Sequence, residues 1–131
     1  MTVAVAHQVS ATSRKALVEA VREANYRGTD LAVLHVVESI DADNKEAYRL
    51  GVSDEIDKVV GQQAPVPWKL HLATAGPDLA GALLTLVEGI DADLLVIGAR
   101  RRSPVGKALL GSVAQTVILE ANLPVLVVKA P

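Results

Sequence analysis

The chain has 131 residues, half of them hydrophobic, and a formal net charge of −2. That length fits one domain covering residues 1–131, and the apolar fraction suffices for a packed core. The absence of cysteine excludes disulfides, thiolate catalysis and cysteine-ligated metals, and the slightly acidic balance argues against nucleic acid as a partner.

Five apolar segments alternate along the chain with segments of helical periodicity. Strands are predicted at residues 2–7, 31–37, 68–73, 93–97 and 125–129. Helices are predicted from a cap at Ser10, Thr12 or Ser13 to residue 26, and at 41–61, 78–87 and 112–121. Strict alternation of this kind indicates the α/β class, with an open parallel sheet flanked by helices.

The longest apolar runs have the length of strands and are too short to cross a bilayer. The first ten residues lack the basic segment and the apolar stretch of a signal peptide. We therefore expect a cytoplasmic protein that makes no contact with a membrane.

A cationic stretch follows the fourth predicted strand. Four basic residues and no acidic residue lie between Gly98 and Ser112: Arg100, Arg101, Arg102 and Lys107. Gly111 and Ser112 stand directly before a predicted helix, whose free N–H groups and dipole favour an anion. Because parallel sheets bind ligands at the carboxyl ends of their strands, this loop predicts a site for a small anionic ligand.

Three familiar phosphate-binding patterns do not fit this stretch. A P-loop needs a glycine ahead of Gly106-Lys107 and a hydroxyl residue after it, and both are missing. The G-x-G-x-x-G fingerprint is absent after the first strand. A phosphoacceptor receiver domain needs acidic residues where the first and third strands end, and His7-Gln8 and Thr74-Ala75 stand there.

The pattern that does fit is glycine, two residues, a second glycine, nine residues, then glycine followed by serine or threonine. Gly98, Gly111 and Ser112 have this spacing. Together with the flanking stretches at 92–98 and 123–128 and with Leu34-His35-Val36-Val37, they give a chain that resembles the universal stress protein family over its whole length.

The resemblance implies a Rossmann-like or flavodoxin-like sheet of strand order 3-2-1-4-5 and a homodimer. The dimer would pair strand five of each copy, through Val125, Leu126, Val127 and Val128. In one subgroup the family binds an adenine nucleotide, such as ATP, AMP or cyclic AMP, in some cases with magnesium. The implied function is a nucleotide-binding, dimeric stress-response regulator without dedicated catalysis.

The resemblance also implies which residues surround the nucleotide. Ala6, His7, Gln8 and Val36 would lie around the adenine and ribose, and the remaining residues would lie around the phosphates: Ile97, Gly98, Arg100, Arg101, Gly111, Ser112, Val113 and Ala114.

Three positions depart from the family pattern. Arg101 replaces the second glycine, Gln8 stands in place of an aspartate, and Ala114 in place of a hydroxyl residue. These departures leave open an alternative, in which the chain is a dimeric interaction protein that binds no nucleotide. A weak ATPase is a third hypothesis, although the sequence contains no visible nucleophile–base pair.

His7, His35 and His71 fall on three different predicted strands, and no carboxylate stands at ligand spacing beside them. We expect no metal site, and we expect His35 to be a hydrogen-bonded residue of the sheet.

Overall fold

The computed structural model describes residues 1–8, 11–100 and 111–130, with the backbone alone at Ala11, Arg100 and Ala130. The elements follow one another in the order β1 (Thr2–Ala6), α1 (Ala11–Arg27), β2 (Asp30–Val37), a 3-10 turn (Ala42–Asn44), α2 (Lys45–Val60), β3 (Trp68–Thr74), α3 (Leu79–Gly89), β4 (Leu94–Arg100), α4 (Ser112–Glu120) and β5 (Val125–Ala130).

The five strands form one parallel sheet in the order β3-β2-β1-β4-β5. The α/β class and the strand order are therefore confirmed. β1 and β2 pair from Thr2 opposite Asp30 to Ala6 opposite Leu34, and β2 continues to Val37 beyond the end of β1. The strand order switches sides between β1 and β4, because β2 and β3 extend the sheet on one side of β1, and β4 and β5 extend it on the other. Such a switch leaves a crevice at the carboxyl ends of β1 and β4.

Each face of the sheet is covered by two helices. α1 and α2 pack on the face that carries Val3, Val5 and Val33, whereas α3 and α4 pack on the face that carries Leu34 and Ile97. α1 places Ala16, Ala20 and Ala24 against the sheet, all with no exposed surface. Small side chains at this spacing let the helix lie close to the strands.

Two predicted boundaries are wrong in an informative way. β4 does not end at residue 97 but continues to Arg100, because Gly98, Ala99 and Arg100 pair with β5. The predicted helix at 41–61 is divided, since its first residues form the 3-10 turn, in which the side chain of Asp41 accepts a hydrogen bond from the Asp43 N–H. α2 itself starts at Lys45.

Among the described residues, none of the helices has both the length and the apolar character that a membrane crossing requires.

Candidate functional site

A cavity of about 390 Å³ lies at the carboxyl ends of β1, β2 and β4. It extends between the first turns of α1 and α4, on the edge of the sheet where parallel α/β folds bind ligands. Ten of the twelve residues predicted around a nucleotide line it: Ala6, His7, Gln8, Val36, Ile97, Gly98, Gly111, Ser112, Val113 and Ala114. The structure thus brings segments from both ends of the chain to one place.

The side chains of the two predicted arginines, Arg100 and Arg101, are not among those that the structure describes. The backbone of Arg100 belongs to β4 and pairs with Ala130, and its side chain lies outside the described part of the chain. Arg101 lies outside it altogether, as do Arg102 and Lys107.

Gly98 is required by the fold of the protein itself. A Cβ at this position would lie 2.7 Å from Thr12 Cγ2 and 3.0 Å from the Thr12 carbonyl oxygen. The glycine therefore lets the first turn of α1 lie directly against β4. Gly98 was predicted to open a loop, and the structure instead places it inside a strand, where it closes the α1 side of the cavity.

Gly111 is in the opposite situation. It is the N-cap residue of α4, with φ −64° and ψ 160°, and a Cβ built there would meet no atom of the described residues within 4 Å. The helix begins with the hydrogen bond from the Gln115 N–H to the Gly111 carbonyl. Ser112 was predicted to cap α4, but it is the first helical residue, and no side chain of the described residues caps this end.

The start of α4 is therefore a group of unprotected N–H donors at the rim of the cavity. In a regular helix the first N–H groups have no intrahelical acceptor, and the dipole makes this end partly positive. Ser112, on the first turn, is exposed and lines the cavity. This arrangement can hold an anionic group such as a phosphate.

The first turn of α1 is fixed to the end of β1. The backbone N–H of Gln8 donates to the Ser13 hydroxyl over 2.9 Å, and the Ser13 side chain is buried. The side chain of Gln8 is exposed and lines the cavity, so the side-chain amide is available to a ligand. Where a carboxylate would only accept hydrogen bonds, this amide can both accept and donate.

Behind this wall lies a pair of buried histidines. The Nδ1 atoms of His7 and His35 are 2.9 Å apart, and each ring is only 2% exposed. His35 Nε2 in turn is 2.8 Å from the hydroxyl oxygen of Tyr48 on α2. His35 is thus hydrogen-bonded within the sheet, as its apolar surroundings predicted. His7 Nε2 is buried and has no hydrogen-bond partner among the described residues.

Both rings are held in the neutral form. Burial lowers the pKa of His7 from its ordinary value of 6.5 to about 4, with a further lowering from His35 and a partial opposing effect from the Glu55 carboxylate. Burial likewise lowers the pKa of His35. A charged imidazole would lose its hydration here without gaining an acceptor at His7 Nε2.

Six residues that line the cavity were not predicted from the sequence: Thr12, Ser13, Leu34, Leu79, Leu83 and Ala99. Leu79 and Leu83 are one helical turn apart on α3, so their spacing was the available signal. The histidine pair was also missed, because it depends on the register between β1 and β2. Ala6 pairs with Leu34, and the next residues in that register are His7 and His35.

The described residues contain no group of three His, Cys, Asp or Glu side chains that could hold a metal ion. Within the same residues, Ser112 makes no side-chain hydrogen bond to a general base. The described lining of the cavity offers a ligand an apolar slot, an amide, hydroxyl groups and the N-terminus of a helix.

Comparison with known proteins gives a consistent assignment. The model of the universal stress protein family matches residues 1–129. A universal stress protein of Mycolicibacterium smegmatis is 39% identical over 97% of this chain and 96% of its own length.

Solved structures agree with the sequence matches. A universal stress protein from Archaeoglobus fulgidus is similar with a TM-score of 0.81, at 29% identity and 98% coverage of both chains. A structure of the Archaeoglobus fulgidus protein in complex with dAMP is similar with a TM-score of 0.77, at 25% identity and the same coverage. The chain belongs to the universal stress protein family.

Proposed function

We propose that this chain binds an adenine nucleotide in the cavity at the carboxyl ends of β1, β2 and β4. The observation that carries the proposal is the continuity of that cavity, which runs from an apolar slot to the uncapped N-terminus of α4. Its volume falls in the range of pockets that enclose small organic ligands. The dAMP complex of the Archaeoglobus fulgidus protein supports the choice of ligand.

The two ends of the cavity suit the two ends of a nucleotide. The apolar side chains of Leu34, Val36 and Leu83 line the cavity, and a purine base can pack against them. The N–H groups at the start of α4 and the Ser112 hydroxyl offer donors to a phosphate. Gly111 has no Cβ to obstruct that phosphate, and Arg100 and Arg101 add positive charge nearby in the sequence.

Binding without dedicated catalysis follows from the side chains at hand. His7 is the titratable group of the described lining, and its Nε2 is sealed from solvent. A general base needs access to the proton that it removes. The proposed role is therefore that of a stress-response regulator that switches between a free form and a nucleotide-bound form, with or without bound magnesium.

The test is thermal unfolding with millimolar ATP, ADP, AMP, dAMP or cyclic AMP, each with and without magnesium. A ligand at one hundred times its dissociation constant stabilises the native state by about 2.7 kcal/mol, which raises the unfolding midpoint by several degrees. Gly111→Val is the matched variant: it should keep the fold and lose the shift, because the added methyl groups stand where the phosphate approaches.

If none of the nucleotides moves the midpoint of the wild-type protein, the site assignment is wrong. The three departures at Gln8, Arg101 and Ala114 would then have emptied the cavity, and the alternative role as a dimeric interaction protein would take its place.

We further propose that two copies of the chain associate through β5. This strand forms an edge of the sheet, and Val125, Leu126 and Val127 are only partly buried. An exposed apolar edge strand favours pairing with another chain. Leu119, on the helix that leads into β5, adds an apolar side chain that is 82% exposed.

Sedimentation equilibrium tests the dimer. We expect a twofold molecular mass for the wild-type protein and a weaker dimer for Leu119→Lys, because the charge would have to be desolvated in the interface. Tyr26→Lys is the control, since Tyr26 is equally exposed but lies on α1. A wild-type monomer at millimolar concentration would contradict the proposal.

A further inference from the structure

A chain of hydrogen bonds leads from the cavity wall to the surface of α2. It runs from His7 through the Nδ1–Nδ1 contact to His35 and from His35 Nε2 to the Tyr48 hydroxyl. A neutral imidazole carries one proton on its two nitrogens. The contact between the two Nδ1 atoms therefore needs a single proton, which belongs to one ring and is accepted by the other.

The order of protons along this chain follows from its buried end. If His7 Nδ1–H donates to His35, then His35 Nε2–H donates to Tyr48, and the partly exposed Tyr48 hydroxyl can donate to water. The reverse order would leave an N–H at His7 Nε2, which is buried without an acceptor among the described residues. Buried N–H groups without partners are rare, so the first order is favoured.

The chain is attached directly to the cavity. The backbone N–H of His7 donates to the Leu34 carbonyl over 2.8 Å. Leu34, Gln8, which follows His7, and Val36, which follows His35, all line the cavity. The contact between the two rings thus fixes the ends of β1 and β2 relative to each other, immediately behind the surface that a ligand would touch.

The polar and charged groups around the pair come from the two helices that pack above it. α2 contributes Tyr48 and Glu55, and α1 contributes Arg14, whose guanidinium forms an ion pair with Glu55 at 3.3 Å. On the strand sides the pair has uncharged neighbours: Leu72 of β3 stands opposite His35, and β4 offers Gly98 beside the end of β1. Because Arg14 is paired with Glu55, the two helices present an ion pair to the rings and not a lone carboxylate.

An added proton has no favourable position in this chain. On His7 Nε2 it would create a buried cation without an acceptor. On His35 Nδ1 it would set two N–H groups against each other at 2.9 Å, so the contact between the rings would have to open.

We propose that His35 and Tyr48 are positioning residues, which act through His7 to hold the ends of β1 and β2 in the geometry that binds an adenine nucleotide, and only while both rings are neutral. The inference rests on the proposed nucleotide site. Binding and protonation then oppose each other, because the ligand prefers the neutral pair and each equilibrium shifts the other by the same factor.

The first measurement is the affinity for dAMP at pH 7 by isothermal titration calorimetry. We expect His35→Leu to weaken binding about tenfold and Tyr48→Phe about threefold, the range expected from loss of one hydrogen bond. His35→Gln should recover most of the affinity, since its carbonyl can accept from His7 and its amide can donate to Tyr48. His71→Leu is the control, because His71 on β3 is absent from the cavity lining, and its affinity should equal that of the wild type.

The second measurement separates positioning from a general structural role. In an NMR titration of the histidine rings, saturating dAMP should lower the pKa of His7 by about one unit, because the ligand selects the neutral pair. Simple attraction between a phosphate and an imidazolium would raise that pKa instead. The sign of the change therefore decides between the two.

The outcomes are distinct. A wild-type protein that binds no nucleotide overturns the proposed function, and this inference with it. A wild-type protein that binds dAMP while a folded His35→Leu variant, checked by circular dichroism, binds it equally well overturns the positioning role alone. A raised pKa of His7 in the presence of dAMP also overturns it.

Discussion

The two sides of the cavity are built on different principles. On the α1 side, Gly98 touches Thr12, Gln8 is tied to Ser13, and the histidines are tied to each other. On the α4 side, Gly111 has open space around it and the helix has no side-chain cap among the described residues. On the α1 side the contacts are made within the protein, whereas on the α4 side the N–H donors remain for a ligand to accept from. The two signature glycines, which look equivalent in the sequence, thus have unrelated physical reasons.

The largest expected effect comes from placing valine at each glycine in turn. Gly98→Val should lower the free energy of unfolding by about 3 kcal/mol, because its Cβ would overlap the Thr12 side-chain methyl group and press against the Thr12 carbonyl oxygen. Gly111→Val should cost less than about 1 kcal/mol, since a Cβ at this position meets no atom of residues 1–8, 11–100 or 112–130 within 4 Å and the change affects the helix cap. Urea unfolding of both variants measures the difference.

Equal costs at the two positions would break the comparison. A large loss at Gly111 would mean that the α4 side is packed against the protein after all, and a small loss at Gly98 would mean that α1 can move away from β4 without penalty.

A smaller effect should appear when the closed side is titrated. The unfolded chain takes up protons on histidine as the pH falls through 6.5, whereas His7 in the native protein stays neutral until about pH 4. Stability is therefore complete above pH 6.5 and declines as the pH falls toward 4. Between pH 7 and pH 5, His7 alone should lower the free energy of unfolding by roughly 2 kcal/mol.

Urea unfolding at several pH values measures this decline, and His7→Val should reduce it, because the contribution of His7 is gone. A wild-type stability that stays level between pH 7 and pH 5 would show that the pair accepts protons in the native state. The closed side would then be less tightly sealed than its hydrogen bonds indicate.

The sequence predicted those parts of the molecule that depend on local patterns. Alternating apolar strands and periodic helices identified the class, and the spacing from Gly98 to Ser112 identified the segment that lines the cavity. The extension of β4 to Arg100 could not be found this way, because it results from pairing with β5 rather than from the residues of β4.

The histidine pair belongs to the same category of missed features. Each histidine has an ordinary position on its own strand, and only the register between β1 and β2 brings the rings into contact. The same holds for Thr12 and Ser13, which the sequence marked as possible helix caps. Their contacts with Gly98 and Gln8 depend on how closely α1 approaches the sheet.

That approach is governed by the alanines of α1. Ala16, Ala20 and Ala24 form a row of methyl groups along the helix, and they act as a spacer of fixed thickness between its axis and the strands. Thr12 begins the same row one turn earlier, at the edge of the cavity. The distance between α1 and β4 at the cavity therefore depends on residues far from it. A larger side chain at one of these buried alanines would move the helix away from the sheet and so change the shape of a cavity that the alanine does not line.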